Sequence, residues 1–106
     1  MNLMINTLFA NRYGLVAGLI LTFLCDNYLQ VKIMKPKENF FDGEYWSLMT
    51  KHAFYCWFPF LSLDEIKAAL EILSQNKAIE IKQIQRFEQT YFAIRVFGGV
   101  LCEGGY

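Results

Sequence analysis

Few side chains in this sequence are spaced for bond-making chemistry. His52 and Cys56 stand four apart, which sets two metal ligands on one helical face. A zinc site needs about four ligands, however, and Cys25 and Cys102 lie at no diagnostic spacing from that pair. Asp42 and Glu44 flank a glycine with no base beside them, so paired-carboxylate catalysis is not expected. Gly98, Gly99, Gly104 and Gly105 lack the strand and helix that a phosphate-binding loop requires. The sequence therefore predicts no enzyme, no metal and no cofactor. What remains are groups that can bind: the cations and polar side chains Lys51, Ser62, Lys67, Gln75, Lys82 and Arg86, and the set His52, Tyr55 and Trp57.

The stretch that must position them runs from Phe58 to Ile81. Ser62 stands where a helix N-cap belongs, and Glu65 three residues on can reach back to the Ser62 N–H, the reciprocal pattern of a capping box. Leu63, Ile66, Leu70 and Leu73 recur at spacings of three and four, a single inward stripe that leaves Asp64, Lys67, Ala68, Glu71 and Gln75 facing outward. Asn76 is expected to end this helix in the left-handed conformation. Ile79 and Ile81 then alternate with Glu80 and Lys82, the period of a strand. Strands over Ile79 to Phe87 and Thr90 to Val96, joined at Glu88 and Gln89, make a hairpin.

Upstream, Leu3 to Asn11 reads as a short helix and Leu15 to Tyr28 as an apolar one, with Leu15, Leu19, Phe23 and Val16, Ile20, Leu24 giving two adjacent stripes. The uncharged run from Tyr13 ends at Asp26, short of the roughly 20 residues that span a bilayer, so a buried central helix and no membrane partner are expected. Residues from Gln30 to Gly43, with Lys32, Lys35 and Lys37, read as a basic loop. Glu44 to Leu48 suits a short strand, and Thr50 caps a helix from Lys51 to Trp57 that Pro59 stops. The sum is an α+β winged helix-turn-helix, mainly helical with a short β-hairpin wing, over residues 1–96, followed by a partly mobile glycine-rich tail at 97–106.

Composition narrows the partners. Hydrophobic residues are 55% of the chain and aromatics 17%, with 19% charged, so disorder is excluded and spare apolar surface is expected. Ten basic residues balance ten acidic ones, so DNA binding has to come from local charge placement. Three separated cysteines fit reduced thiols and a cytoplasmic setting.

The order of elements, with Trp46, Thr50, Phe54, the Phe58-Pro59-Phe60 turn and then Ser62, Ile66, Leu70 and Leu73, resembles the winged-helix domain of phage and plasmid replication-initiation (replisome organiser) proteins. That resemblance implies a recognition helix bearing Lys67, Gln75 and Ser62 toward duplex DNA, with Lys51, Lys82 and Arg86 on phosphates. A dimer is expected, since one domain with few cations binds weakly. Relatives carry a pair of arginines where this chain has Lys67 and Ala68, so Asp64, Glu65 and Glu71 outweigh Lys67 on the helix. The preceding helix turns His52, Tyr55 and Trp57 outward, an apolar face suited to a partner or dimer interface. DNA binding in replication initiation or transcription control is the leading expectation. A protein-binding module, such as a phage-encoded antagonist of a host complex in the manner of an anti-CRISPR protein, is the alternative.

Overall fold

The computed structural model describes residues 5–106, an α+β arrangement built on the helix α2, Leu15–Met34. Ala17, Leu21, Leu24 and Tyr28 bury one stripe of α2, with Ile20 and Cys25 beside it. The helix does not stop at Tyr28 as the sequence suggests, because the polar residues that follow, Gln30 and Lys32, lie on its exposed side, where they cost nothing. It runs on until Lys35 takes the left-handed conformation at φ 51° and Pro36 follows. Lys32 thus belongs to its last turn rather than to a loop. At 20 residues α2 is long and apolar enough to cross a membrane by length and composition, while eight of its residues are buried inside this chain.

The first helix, α1, spans Thr7–Tyr13; of the helix expected over Leu3 to Asn11, Leu3 and Met4 lie outside the described residues. Its backbone crosses α2 so closely that a Cβ on Gly18 would lie 2.6 Å from the Ala10 nitrogen. Thr22 ties the crossing: its hydroxyl accepts from the Asn6 N–H at 2.9 Å and donates to the Gly18 carbonyl at 2.8 Å.

A short 3-10 turn, Lys37–Asn39, leads into a two-stranded ribbon of β1, Phe40–Phe41, and β2, Glu44–Tyr45. Asp42 and Gly43 at its tip have φ values of 53° and 77°, the positive pair that a two-residue hairpin turn demands. The strand expected over Glu44 to Leu48 is therefore two: β2, and after Trp46 the strand β3, Ser47–Met49. Next come α3, Lys51–Trp57, capped by the Thr50 side chain, and α4, Leu63–Gln75. The last strands are β4, Ile79–Arg86, and β5, Gln89–Val96. The turn between them is Phe87 and Glu88, one residue earlier than the sequence suggests, at φ 52° and 61°. All three long-range strands pair antiparallel in the order β3-β5-β4, with Ser47 opposite Ile94 and Ile81 opposite Ile94 from the other side.

That register gives the sheet two faces. Met49, Ile79, Ile94 and Val96 turn toward α2 and α4 and complete the main core with Phe54 and Phe58. On α4, Ile66, Leu70 and Leu73 are buried together with Ala69, and Asp64, Lys67, Ala68, Glu71 and Gln75 are exposed, as the periodicity predicts. Asn76 is not left-handed; it holds φ −86°, its side-chain amide donates to the Ile72 carbonyl at 2.8 Å, and Lys77 at φ 57° makes the reversal.

The last ten residues, expected as an irregular tail, contain the helix α5, Gly98–Glu103. It docks on α1: the Asn6 side chain donates to the Gly104 carbonyl at 2.9 Å, Tyr106 stacks on Phe9 with ring centres 6.4 Å apart, and Arg12 pairs with Glu103.

Replacing Leu70 by Ala is expected to cost about 2–5 kcal/mol in urea unfolding, against about half a kcal/mol or less for Glu71→Ala on the opposite side of the helix. Gly18→Ala is expected to lose about 1–3 kcal/mol although alanine favours helices, because the added methyl meets backbone. Equal losses at Leu70 and Glu71 would show that α4 presents different faces in solution.

Candidate functional site

The sequence-predicted binding residues separate into three places. Along α4, Ser62 is absorbed by the cap: its hydroxyl accepts from the Glu65 N–H at 3.1 Å, and the Glu65 carboxylate accepts from the Ser62 N–H at 3.0 Å. The Gln75 amide donates to Glu71 at 3.3 Å. Lys67 is exposed on α4 and Lys51 on the first turn of α3, and among the described residues neither has a carboxylate within ion-pair distance. With Asp64, Glu65 and Glu71 exposed on the same helix, the outward surface of α4 is acidic on balance.

Lys82 and Arg86, by contrast, leave the hairpin tip and turn onto the second face of the sheet. Trp46 lies buried there, with the ribbon of β1 and β2 folded over it: the indole N–H donates to the Phe41 carbonyl at 3.1 Å, and the two rings stack 5.5 Å apart. The Lys82 ammonium sits 4.5 Å from the Trp46 ring centre and 5.3 Å from that of Phe41, and reaches Asp42 at 2.5 Å. Arg86 lies 4.9 Å over Phe41 and donates to the Glu38 carbonyl. Arg95, which sequence reasoning passes over, bonds Glu80 and, at 2.6 Å, Glu44, with its guanidinium 5.7 Å from Trp46 and 5.2 Å from Phe97. Hydrogen bonding from Glu80 raises the Arg95 pKa further. Three cations are thus held on aromatic faces and by carboxylates or a carbonyl of their own chain.

The third place is α3. His52, Tyr55 and Cys56 share its exposed stripe, and the Cys56 sulfur lies 3.4 Å from the His52 ring. Trp57 is not part of that stripe. It tilts against Phe23 of α2 at 4.6 Å and, with Phe23, Asp26 and Ile33, lines an open groove. The interface expected from His52, Tyr55 and Trp57 therefore divides in two. The hairpin tip adds a group that the sequence leaves unmarked: Phe87 is 90% exposed in a left-handed conformation that bulky residues avoid.

No three His, Cys, Asp or Glu side chains gather at one point among the described residues. Cys25 is buried, its thiol pushed up to about 12 by burial and then by Asp26, whereas Cys56 and Cys102 are exposed. Compared with protein-family models, curated proteins and solved structures, the chain gives no match.

Because the Lys82–Asp42 pair is exposed, Asp42→Asn, which keeps a residue tolerant of the positive φ of that turn, is expected to cost less than about 1 kcal/mol, whereas emptying the buried site by Trp46→Ala costs about 3–5 kcal/mol in the same unfolding assay. A thiol reagent at neutral pH is expected to label Cys56 and Cys102 in the native protein and Cys25 only after denaturant is added. Rapid reaction of all three would contradict the burial of Cys25.

Proposed function

We propose that this chain is a winged-helix module that acts by binding a protein partner, without catalysis. The fold reading is supported by the order of elements: a strand, two helices with the second one capped, and a hairpin, in a sheet of order β3-β5-β4. In that architecture α4 is the recognition helix and β4–β5 the wing.

The observation that carries the choice of partner is the orientation of the wing cations. Phosphate contacts require cations that face the duplex, and each neutralised phosphate contributes to affinity by counterion release. Lys82 and Arg86 face their own ribbon instead, and α4 offers Lys67 against three carboxylates. The exposed groups are of another kind: Phe87 at the wing tip, Tyr55 on α3, Trp57 beside α2. Large aromatics exposed on separate edges are the residue types that anchor protein interfaces.

A second reading, duplex binding as in replication initiation, rests on Lys51 and Lys67. Both are exposed on the two helices of the helix-turn-helix and, among the described residues, have no ion-pair partner. The two readings differ in salt dependence. Two phosphate contacts predict a slope of log K against log salt of about −1.8, and affinity weaker than about 10⁻⁴ M at physiological salt.

Fluorescence anisotropy with a labelled duplex at low and physiological salt is therefore expected to detect no complex at physiological salt, and Lys51→Glu with Lys67→Glu to change nothing there. A complex that forms at low salt, weakens with salt along a slope of about −1.8 and is lost in that double variant would overturn the protein-binding reading in favour of the second. Affinity capture run in parallel with the wild type and with Tyr55→Ala and Phe87→Asp is expected to lose a specific protein in the variants while their melting temperatures stay unchanged.

A further inference from the structure

Helix α2 carries an apolar feature at each end, and the two are opposite in charge. At its start, the turn from α1 and the flank of α4 enclose an open groove of about 360 Å³. Its walls are Tyr13, Leu15 and Val16 on one side and Ala68 and Ile72 on the other, with Glu65 the one charged group lining it among the described residues. Leu15 is 70% exposed there, and Ile72, which shares a helical face with Glu65 and Ala68, is 40% exposed. Asp64 adds a second carboxylate beside Glu65 in the first turn of α4. Among the described residues no cation lines the groove; Arg12, next to Tyr13, is turned to Glu103.

The other end of α2 is its complement. Ile33 and Met34, in the final turn, are 70% and 74% exposed. Lys32, Lys35 and Lys37 flank them along the chain, all three exposed, with the Lys32 ammonium 5.7 Å over the Tyr28 ring of the same helix. Apolar side chains at this exposure, flanked by lysines, match in both character and sign a groove that is apolar and edged by carboxylates.

A helix of 20 residues is about 30 Å long, so the tip of α2 cannot fold back into the groove at the start of the same helix. We infer that the occupant is a second copy of this chain: the Ile33–Met34 tip of one copy seats in the Leu15–Ile72 groove of the next, with Lys32 and Lys35 against Asp64 and Glu65. The contact is head-to-tail. It joins two different surfaces, so a pair keeps one groove unfilled on one copy and one tip unfilled on the other, and association continues into a ring or an open chain of copies. A net charge of zero sets no long-range repulsion against it. This assembly does not rest on the choice between protein and DNA as the partner of the wing.

Mass measurement by light scattering across a protein concentration series tests it, with two variants. Ala68→Glu closes the groove at an exposed helical position, and Ile33→Glu reverses the tip; circular dichroism and thermal melts establish that both keep the fold. The wild type is expected to grow with concentration beyond twice the 12.4 kDa of one chain, and to shrink as salt is raised. Each variant alone is expected to stay monomeric. Mixed in equal amounts, the two are expected to form a species of two chains and nothing larger, because the intact tip of one fits the intact groove of the other and the remaining surfaces are both disabled. A wild type monomeric at every concentration overturns the inference. So does a wild-type assembly untouched by either variant or by salt, a mixture that stays monomeric, or an Ile33→Glu protein that still associates by itself, the result expected if groove pairs with groove.

Discussion

The contact on which the structure depends is the inward stripe of α4 against α2. Ile66, Ala69, Leu70 and Leu73 are buried there, and both ends of the helix are fixed by bonds local to it. At the start, the reciprocal Ser62–Glu65 cap satisfies two backbone donors in a reach of four residues. At the end, the Ala78 N–H donates to the Leu73 carbonyl at 2.9 Å, so the last turn of the helix also sets where β4 begins. The sheet then closes the core from its first face, with Ile79 and Ile94 meeting the same leucines. Because α4 is pinned at both ends, its outward surface is a fixed property of the fold.

The second face of the sheet follows a different logic. Trp46 and Ala93 are buried but lie apart from the main core, under a ribbon whose strands are two residues each. So short a ribbon cannot hold itself in place by backbone pairing. Lys82, Arg86 and Arg95 fasten it, stacking on its aromatic rings and bonding Asp42, the Glu38 carbonyl and Glu44. Cations used for this purpose are withdrawn from the outer surface of the β4–β5 hairpin. The charge that a duplex would need is spent on covering a tryptophan.

How much of this is legible in the sequence depends on how local each determinant is. The capped helix and its faces are legible because a capping box and a stripe at spacings of three and four lie within fourteen consecutive residues, Ser62 to Gln75. The alternation from Ile79 likewise shows that Lys82 and Arg86 share a strand face, but not what covers that face. The covering element has a local signal, Asp42-Gly43 between pairs of bulky residues, yet strands of two residues are too short for any period to appear. The end of α2 is misread at Tyr28 because Gln30 and Lys32, polar residues on the exposed side of a helix, look in one dimension like the start of a loop. The four glycines of the last ten residues hide α5 for a related reason: the helix is held by Phe9 and Asn6, nearly a hundred positions away. Both ends of α2 are visible as an apolar start and a basic finish, while their complementarity is visible only once α4 supplies the second wall of the groove.

The seam between α1 and α5 has a consequence for the order in which the molecule assembles. The bond from Asn6 to Gly104 joins residues 98 apart, so it closes a loop containing nearly every other contact. Loop-closure entropy makes such a bond poor at nucleating structure, and α5, with Val100 as its one buried residue, has little of its own to offset it. It is therefore a latch, last to engage and first to release. When it lifts, Phe9 is uncovered and α1 is left resting on α2 through the close crossing at Gly18 and the bond from the Asn6 N–H to Thr22, so loosening travels from the end of the sequence to its beginning without disturbing the middle.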